Sequence, residues 1–277
     1  MHPLVSTAWL AEHLDAPDIR ILDASWYLPS AERDPRDEYK RAHIPGAIFF
    51  DIDAISDTEN PLPHMLPSPE SFSSRVSVLG ISNDDKIIVY DSAGIFSAPR
   101  VWWMFRVMGH EDVVVLDGGL KKWKAEGLPV TDMTTQVRPR HYTARRNSLL
   151  LRDKDSMLHN LETWNEQVID ARSSKRFRGE EPEPRPGLRS GHIPGSCNLP
   201  FGQLVNMDGT MKPVAELRRL FEDASIDLNR PIVTSCGSGV TAAVLALGLA
   251  VLGRTDIAIY DGSWAEWGTS DELPIEP

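Results

Sequence analysis

Only two cysteines, Cys197 and Cys236, occur in 277 residues. Two thiols cannot staple a chain of this size, and neither lies in a Cys-x-x-Cys pair or a Cys/His cluster. A disulfide framework and a structural zinc site are both excluded, and a reducing compartment fits best. No metal and no cofactor are implied. No uninterrupted apolar run of about 18 residues occurs, so no spanning helix is expected. The start, Met1-His2-Pro3-Leu4-Val5-Ser6, lacks the basic and apolar regions of a signal peptide, which makes the cytoplasm the expected location. Positive charge is scarce as well. Lys and Arg number 29 against 40 Asp and Glu, for a net charge of -11 and a pI near 5.2. Nucleic acid and anionic membranes would be repelled as main partners.

What is present is written twice. Ile21-Leu22-Asp23-Ala24-Ser25 is echoed by Val168-Ile169-Asp170-Ala171-Arg172, His43-Ile44-Pro45-Gly46-Ala47 by His192-Ile193-Pro194-Gly195-Ser196, and Asp117-Gly118-Gly119-Leu120 by Asp261-Gly262-Ser263-Trp264. The offsets, 147, 149 and 144 residues, are nearly constant, as tandem homologous domains require. Two copies are too few for a solenoid. The expected division is a first domain over 1–133, a polar join over 134–150 and a second domain over 151–277.

Within each copy, short β-branched runs alternate with helical segments. Ile87-Ile88-Val89-Tyr90, Trp102 to Met108 and Val113-Val114-Val115-Leu116 form one such set; Ile232 to Thr234, Ala242 to Leu252 and Ile257 to Tyr260 form the other. Strand, helix, strand implies a mainly parallel sheet covered on both faces, an α/β fold. The Pro-Gly pairs after His43 and His192 suit tight turns, and those histidines read as turn supports. Trp102, Trp103, Trp264 and Trp267 read as core or domain packing.

Cys236 opens Cys236-Gly237-Ser238-Gly239-Val240-Thr241, between an apolar strand run and an alanine-rich helical run. Two glycines and two hydroxyl residues let successive backbone N–H groups turn inward, and the helix adds the positive end of its dipole. Such a cradle favours thiolate, the nucleophilic form. The alternative is a buried cysteine packed as a small apolar residue. Stepping back 144 residues lands on Ser92, with Ile95 aligned to Gly239, so the first copy has no thiol and a loop less able to wrap an anion. A cysteine phosphatase would need Cys-x5-Arg, and the sixth residue after Cys236 is Ala242. Cys197 has no such cradle and reads as structural.

A second asymmetry is the basic stretch from Asp170 to His192. Arg172, Lys175, Arg176, Arg178, Arg185 and Arg189 outnumber Asp170, Glu180, Glu181 and Glu183 there, against the sign of the whole chain. Arg176 and Arg185 are candidate anchors for a small anionic keto acid. The competing reading is that these arginines balance the adjacent glutamates on a solvated loop. Pro182, Pro184 and Pro186 stiffen the segment.

The tandem copies, the Cys236 loop, the segment Arg176-Phe177-Arg178-Gly179-Glu180-Glu181-Pro182-Glu183-Pro184-Arg185 and the closing Tyr260-Asp261-Gly262-Ser263-Trp264 resemble the rhodanese superfamily over nearly the whole chain. The closer likeness is to its mercaptopyruvate-using branch. The thiosulfate-preferring branch carries basic side chains after the cysteine, where this chain has Gly237 and Ser238. The resemblance implies two rhodanese-like domains, the first non-catalytic and the second catalytic. It implies a sulfurtransferase moving sulfur from 3-mercaptopyruvate through a Cys236 persulfide to a thiol such as thioredoxin, or to cyanide, with release of pyruvate. Arg176 and Arg185 would bind the donor, and Gly237, Gly239, Val240 and Thr241 of the loop would bind substrate with them. Ser238, with His64 and Asp53 from the first domain, would relay a proton; Asp51 competes with Asp53 for the acidic place. The alternatives are a thiosulfate:cyanide sulfurtransferase and a non-catalytic sulfur carrier or scaffold.

Overall fold

A computed structural model describes residues 2–277. The chain separates into two compact units. One comprises the segments through Thr58, Leu66–Asn147 and Asn206–Met211; the other comprises Glu59–Met65, Ser148–Val205 and Lys212–Pro277.

In the first unit β1 (Leu4–Val5), β2 (Ile19–Asp23), β3 (Ile48–Phe49), β4 (Lys86–Tyr90) and β5 (Val113–Leu116) form one sheet in the order β1-β5-β4-β2-β3. Every pairing is parallel. The central strands are apolar runs because both faces are covered; Ile87, Ile88, Val89, Tyr90 and Val113 to Leu116 are all buried. The helices are α1 (Thr7–Glu12), α2 (Pro35–Arg41), α3 (Ile52–Ile55), α4 (Pro69–Val78), α5 (Ala98–Val107) and α6 (Gly119–Ala125). Side-chain oxygens of Ser6, Asp34, Asp51 and Ser68 accept N–H bonds that start the first four. α5 begins four residues before the expected Trp102, because Pro99 sits in its first turn, where a missing N–H costs nothing.

The polar stretch after Thr131 lies along this unit. Arg140 N donates to Ser77 O, Arg145 N to Met108 O and Asn147 N to Val107 O, while the Arg140 guanidinium grips Asp85 at 2.6 and 2.8 Å. Tyr142 is buried.

The second unit repeats the plan with β6 (Leu151–Arg152), β7 (Gln167–Asp170), β8 (Cys197–Asn198), β9 (Ile232–Ser235) and β10 (Ala258–Tyr260), again all parallel, in the order β6-β10-β9-β7-β8. Its helices are α7 (Lys154–Thr163), α8 (Ser174–Phe177), α9 (Val214–Asp223), α10 (Ala242–Val251) and α11 (Ser263–Trp267). α10 carries no charge and is buried from Ala242 to Ala250, whereas α9 buries only the Leu217 and Phe221 stripe. Among the described residues no helix is long and apolar enough to cross a membrane.

The repeated histidines are structural. His43 Nδ1 meets Tyr39 O at 2.7 Å and its ring stacks on Tyr39; His192 Nδ1 meets Phe177 O at 2.9 Å and stacks on Phe177. Each also pairs its backbone with a later segment, His43 with Thr131 and His192 with Glu276. The Pro-Gly turns after them put Gly46 at φ 79° and Gly195 at φ 68°. Trp102, Trp103, Trp264 and Trp267 are all core residues.

Candidate active site

Strand β9 ends at Ser235 and α10 begins at Ala242, so the five residues Gly237 to Thr241 carry the chain from Cys236 to the helix N-terminus. The Cys236 residue is buried, its N–H donating to Ser263 Oγ at 3.2 Å and its C=O accepting from Trp264 N at 3.0 Å. Gly239 takes φ 75°, which turns the loop back toward the helix. The N–H groups of Ser238, Val240, Thr241 and Ala242 have no protein acceptor among the described residues. Donors left without an acceptor at the positive end of a helix suit the loop to hold an anion.

The first unit shows what such a cradle holds. Strand register pairs Tyr90 with Asp23 and Ser235 with Asp170, so the counterpart of Cys236 is Asp91 and not Ser92. The same backbone bonds confirm it: Leu120 N donates to Asp91 O where Trp264 N donates to Cys236 O. The Asp91 carboxylate is buried and accepts five backbone N–H bonds, from Ala93, Gly94, Phe96, Ser97 and Ala98, at 2.8–2.9 Å. The first loop therefore does wrap an anion, contrary to the expectation from its missing second glycine. One extra residue between Asp91 and α5 supplies the reach, and Gly94 at φ 121° supplies the turn. The turn at Asn206–Met211 packs against it so closely that a Cβ on Gly94 would stand 2.5 Å from Gly209 Cα.

Over the Cys236 loop stand two guanidinium groups. A Cβ placed on Gly237 would lie 3.1 Å from Arg176 Nη2 and 4.0 Å from Arg185 Nη1. Glycine at this position leaves the space those groups use. Both arginines singled out by the charge pattern thus converge on the residue after the cysteine.

Each is held by an acceptor. Arg176 donates from Nε to Glu183 Oε1 at 3.1 Å and from Nη2 to Glu183 Oε2. Arg185 Nη2 lies 3.3 Å from His64 Nε2. A guanidinium only donates, so Nε2 is the acceptor in this contact. His64 is buried, at φ 62°, in the Glu59–Met65 segment that belongs with the second unit, although its sequence position is in the first half. The Ser238 hydroxyl is near-buried and has no hydrogen-bond partner among the described residues, so the expected Ser238–His64 bond is not formed. Asp53 belongs to the first unit, where its Oδ2 accepts from Trp26 Nε1 at 3.1 Å. Its competitor Asp51 is committed to structure, capping α3 through Ala54 N and pairing with Arg36 at 2.6 Å.

Three residues that carry this arrangement escaped the pattern reading. Arg172, fully buried, forks onto Asp170, donates to Glu183 at 2.7 Å and lies over the Trp264 ring at 4.2 Å. Burial alone would lower its guanidinium, but Asp170 and Glu183 outweigh that and hold it above its ordinary value. Glu183 had been counted only as a charge. Ser263 replaces Gly119 of the first copy and takes φ 49°, a strained conformation that puts its hydroxyl on Cys236 N–H. That glycine-to-serine change in a repeated motif was the available signal.

Cys197 is half-buried and its thiol is pushed up by burial, in keeping with a structural role. Among the described residues no cluster of His, Cys, Asp or Glu could hold a metal ion.

The geometry has counterparts in known proteins. The rhodanese-like domain family matches residues 6–126 and again 153–270. The chain is 49% identical to thiosulfate/3-mercaptopyruvate sulfurtransferase 1, mitochondrial, of Arabidopsis thaliana, over 99% of this chain and 78% of that one. It is 46% identical to human 3-mercaptopyruvate sulfurtransferase, over 95% and 91% respectively. The crystal structure of SseA from Escherichia coli, described as a 3-mercaptopyruvate sulfotransferase, superposes with a TM-score of 0.88 at 42% identity, covering 95% of this chain and 99% of that one. With two matched domains and this cradle at the end of β9, the chain belongs to the rhodanese family, as a tandem of two rhodanese-like domains.

Proposed function

We propose that the chain is a sulfurtransferase that takes sulfur from 3-mercaptopyruvate onto Cys236 and passes it to a thiol, such as reduced thioredoxin, or to cyanide. The observation that carries this reading is the convergence of Arg176 and Arg185 on Gly237, next to the cysteine. A planar fork matches the carboxylate and ketone oxygens of a small keto acid. Relatives at 46% and 49% identity whose names include 3-mercaptopyruvate support the donor, while one at 47%, from Cricetulus griseus, is named thiosulfate sulfurtransferase.

In this mechanism the Cys236 thiolate attacks the donor's sulfur and a sulfur–sulfur bond forms as the carbon–sulfur bond breaks. The electron pair of the broken bond goes to the carbon fragment, the enolate of pyruvate, whose oxygens face the two arginines. The proton on the transferred sulfur moves to the enolate carbon, with the Ser238 hydroxyl as the relay, leaving pyruvate and a persulfide anion. The N–H groups of Ser238, Val240, Thr241 and Ala242 receive that anion as the groups of the first loop receive the Asp91 carboxylate. His64 acts here by aiming Arg185. Attack of the acceptor on the outer sulfur returns the Cys236 thiolate.

Pyruvate release from mercaptopyruvate, measured beside thiocyanate formation from thiosulfate and cyanide, tests the donor. A preference for mercaptopyruvate, lost in Cys236→Ser, is expected. Retained sulfur transfer in Cys236→Ser, or a preference for thiosulfate, refutes the proposal.

A further inference from the structure

We infer that Glu183 sets both the aim and the net charge of the arginine pair, and thereby selects a donor with one carboxylate over a doubly charged donor. This rests on the reading of Arg176 and Arg185 as donor-binding groups. Glu183 stands between two exposed prolines, Pro182 and Pro184, yet its side chain is only 2% exposed. It points inward to two arginines. Arg172 is spent on other partners: Nε and Nη2 on Asp170, Nη2 also on Gly191 O, and its face on Trp264. It has one free direction, Nη1 to Glu183 at 2.7 Å. Glu183 is therefore anchored from behind and presents both oxygens to the Nε–Nη2 edge of Arg176. With that edge taken, Arg176 has its Nη1–Nη2 edge left for a ligand, and Nη2 is the atom nearest Gly237. Without Glu183 the guanidinium could rotate and offer any edge.

Charge leads to the same residue. Asp170 and Glu183 offset the charges of Arg172 and Arg176, so Glu183 takes one positive charge away from the cluster beside the loop. Loss of the Glu183 charge makes the cluster more positive by one unit, which favours a dianion, while the loosened Arg176 loses its grip on a planar keto acid. Both effects move donor preference the same way.

The test compares kcat/KM for mercaptopyruvate and for thiosulfate, with cyanide as acceptor, in the full chain carrying Glu183→Gln or Glu183→Asp. The ratio of thiosulfate to mercaptopyruvate is expected to rise about tenfold in Glu183→Gln. In Glu183→Asp, which keeps the charge and shortens the reach, the ratio is expected within about threefold of the unsubstituted protein, with a raised KM for mercaptopyruvate. A packing defect alone lowers both donors together; an unchanged ratio in Glu183→Gln therefore overturns the inference, as does an equal rise in both variants. If Glu183→Gln does not fold, Glu183→Asp decides, since an unchanged KM for mercaptopyruvate there overturns it. Arg176→Gln separates the two layers: if it leaves the KM for mercaptopyruvate unchanged, the donor-binding reading itself falls.

Discussion

Replacing Asp91 by alanine removes the anion that organises the first loop, and the cost follows from its five bonds. Each is a charge-assisted N–H bond of 2.8–2.9 Å to a buried carboxylate. Single bonds of this kind contribute about 1.5–3 kcal/mol, but five on one group do not add, and water re-solvates part of an opened loop. The loss of one partner from a buried ionic cluster, about 3–5 kcal/mol, is the better guide. At about 3 °C per kcal/mol for a domain of this size, the thermal midpoint of Asp91→Ala should drop by roughly 10–15 °C. Asp91→Asn should fall nearly as far, because its amide NH2 turns donors toward donors. Calorimetry reads the midpoint, and hydrogen exchange at residues 93–98 reads the loop itself. Formate at tens of millimolar should restore exchange protection at residues 93–98 in Asp91→Ala and leave those residues unchanged in the unsubstituted protein, since only the variant offers an unclaimed nest in the first loop. A midpoint change below about 3 °C with unchanged exchange protection would refute the role assigned to Asp91.

Two further outcomes follow from neighbouring residues. Asp23 occupies the place of Asp170 but has Ser25 where Asp170 has Arg172, so burial pushes its carboxyl up from 3.8 to about 6 against the opposing Ser25 bonds. The folded state then holds a proton that the unfolded state releases between those values, and stability falls as pH rises through that window, by about 3 kcal/mol in all. Asp23→Asn should remove this slope, gaining on the unsubstituted protein between pH 4 and 6.5 in urea titrations; parallel curves would contradict it. Gly237→Ala puts a methyl group 3.1 Å from Arg176 Nη2, whose side chain is pinned by Glu183. Its KM for mercaptopyruvate should rise about tenfold with the thermal midpoint within about 2 °C, and an unchanged KM would show that the two arginines do not work at this spot.

The fold was legible because strand and helix periods are local: Ile87 to Tyr90 and Val113 to Leu116 have the apolar continuity of buried parallel strands, and the repeat fixed the rest. The strand-to-helix place of the cysteine loop was legible for a related reason, while the charge pattern left open whether the arginines serve a ligand or the adjacent glutamates; Arg176 lies beside Gly237 and also pairs with Glu183, and Arg178 pairs with Glu180. The counterpart of Cys236 was misplaced because the first loop has one more residue than the second. The offset taken from the motif after β5 is 144, whereas Tyr90 and Ser235, matched by strand register, are 145 apart. Glu183 was hidden because composition counts charges without saying which ones meet. His64 lies within the first family match, yet its proline-framed loop groups by contacts with the second unit, which position along the chain does not show.

The Asp91 nest has a consequence for the other domain. The first loop was synthesised with its counter-ion built in, so its fold is complete when the chain is complete. The second loop has a glycine-rich turn and amides without a protein acceptor, but Cys236 stands where Asp91 does, so an anion held there comes from outside. Any anion captured there stabilises the second domain by mass action, in proportion to the logarithm of its concentration over its dissociation constant. Heat resistance and protease resistance of that half of the molecule are thus tied to occupancy of the cradle.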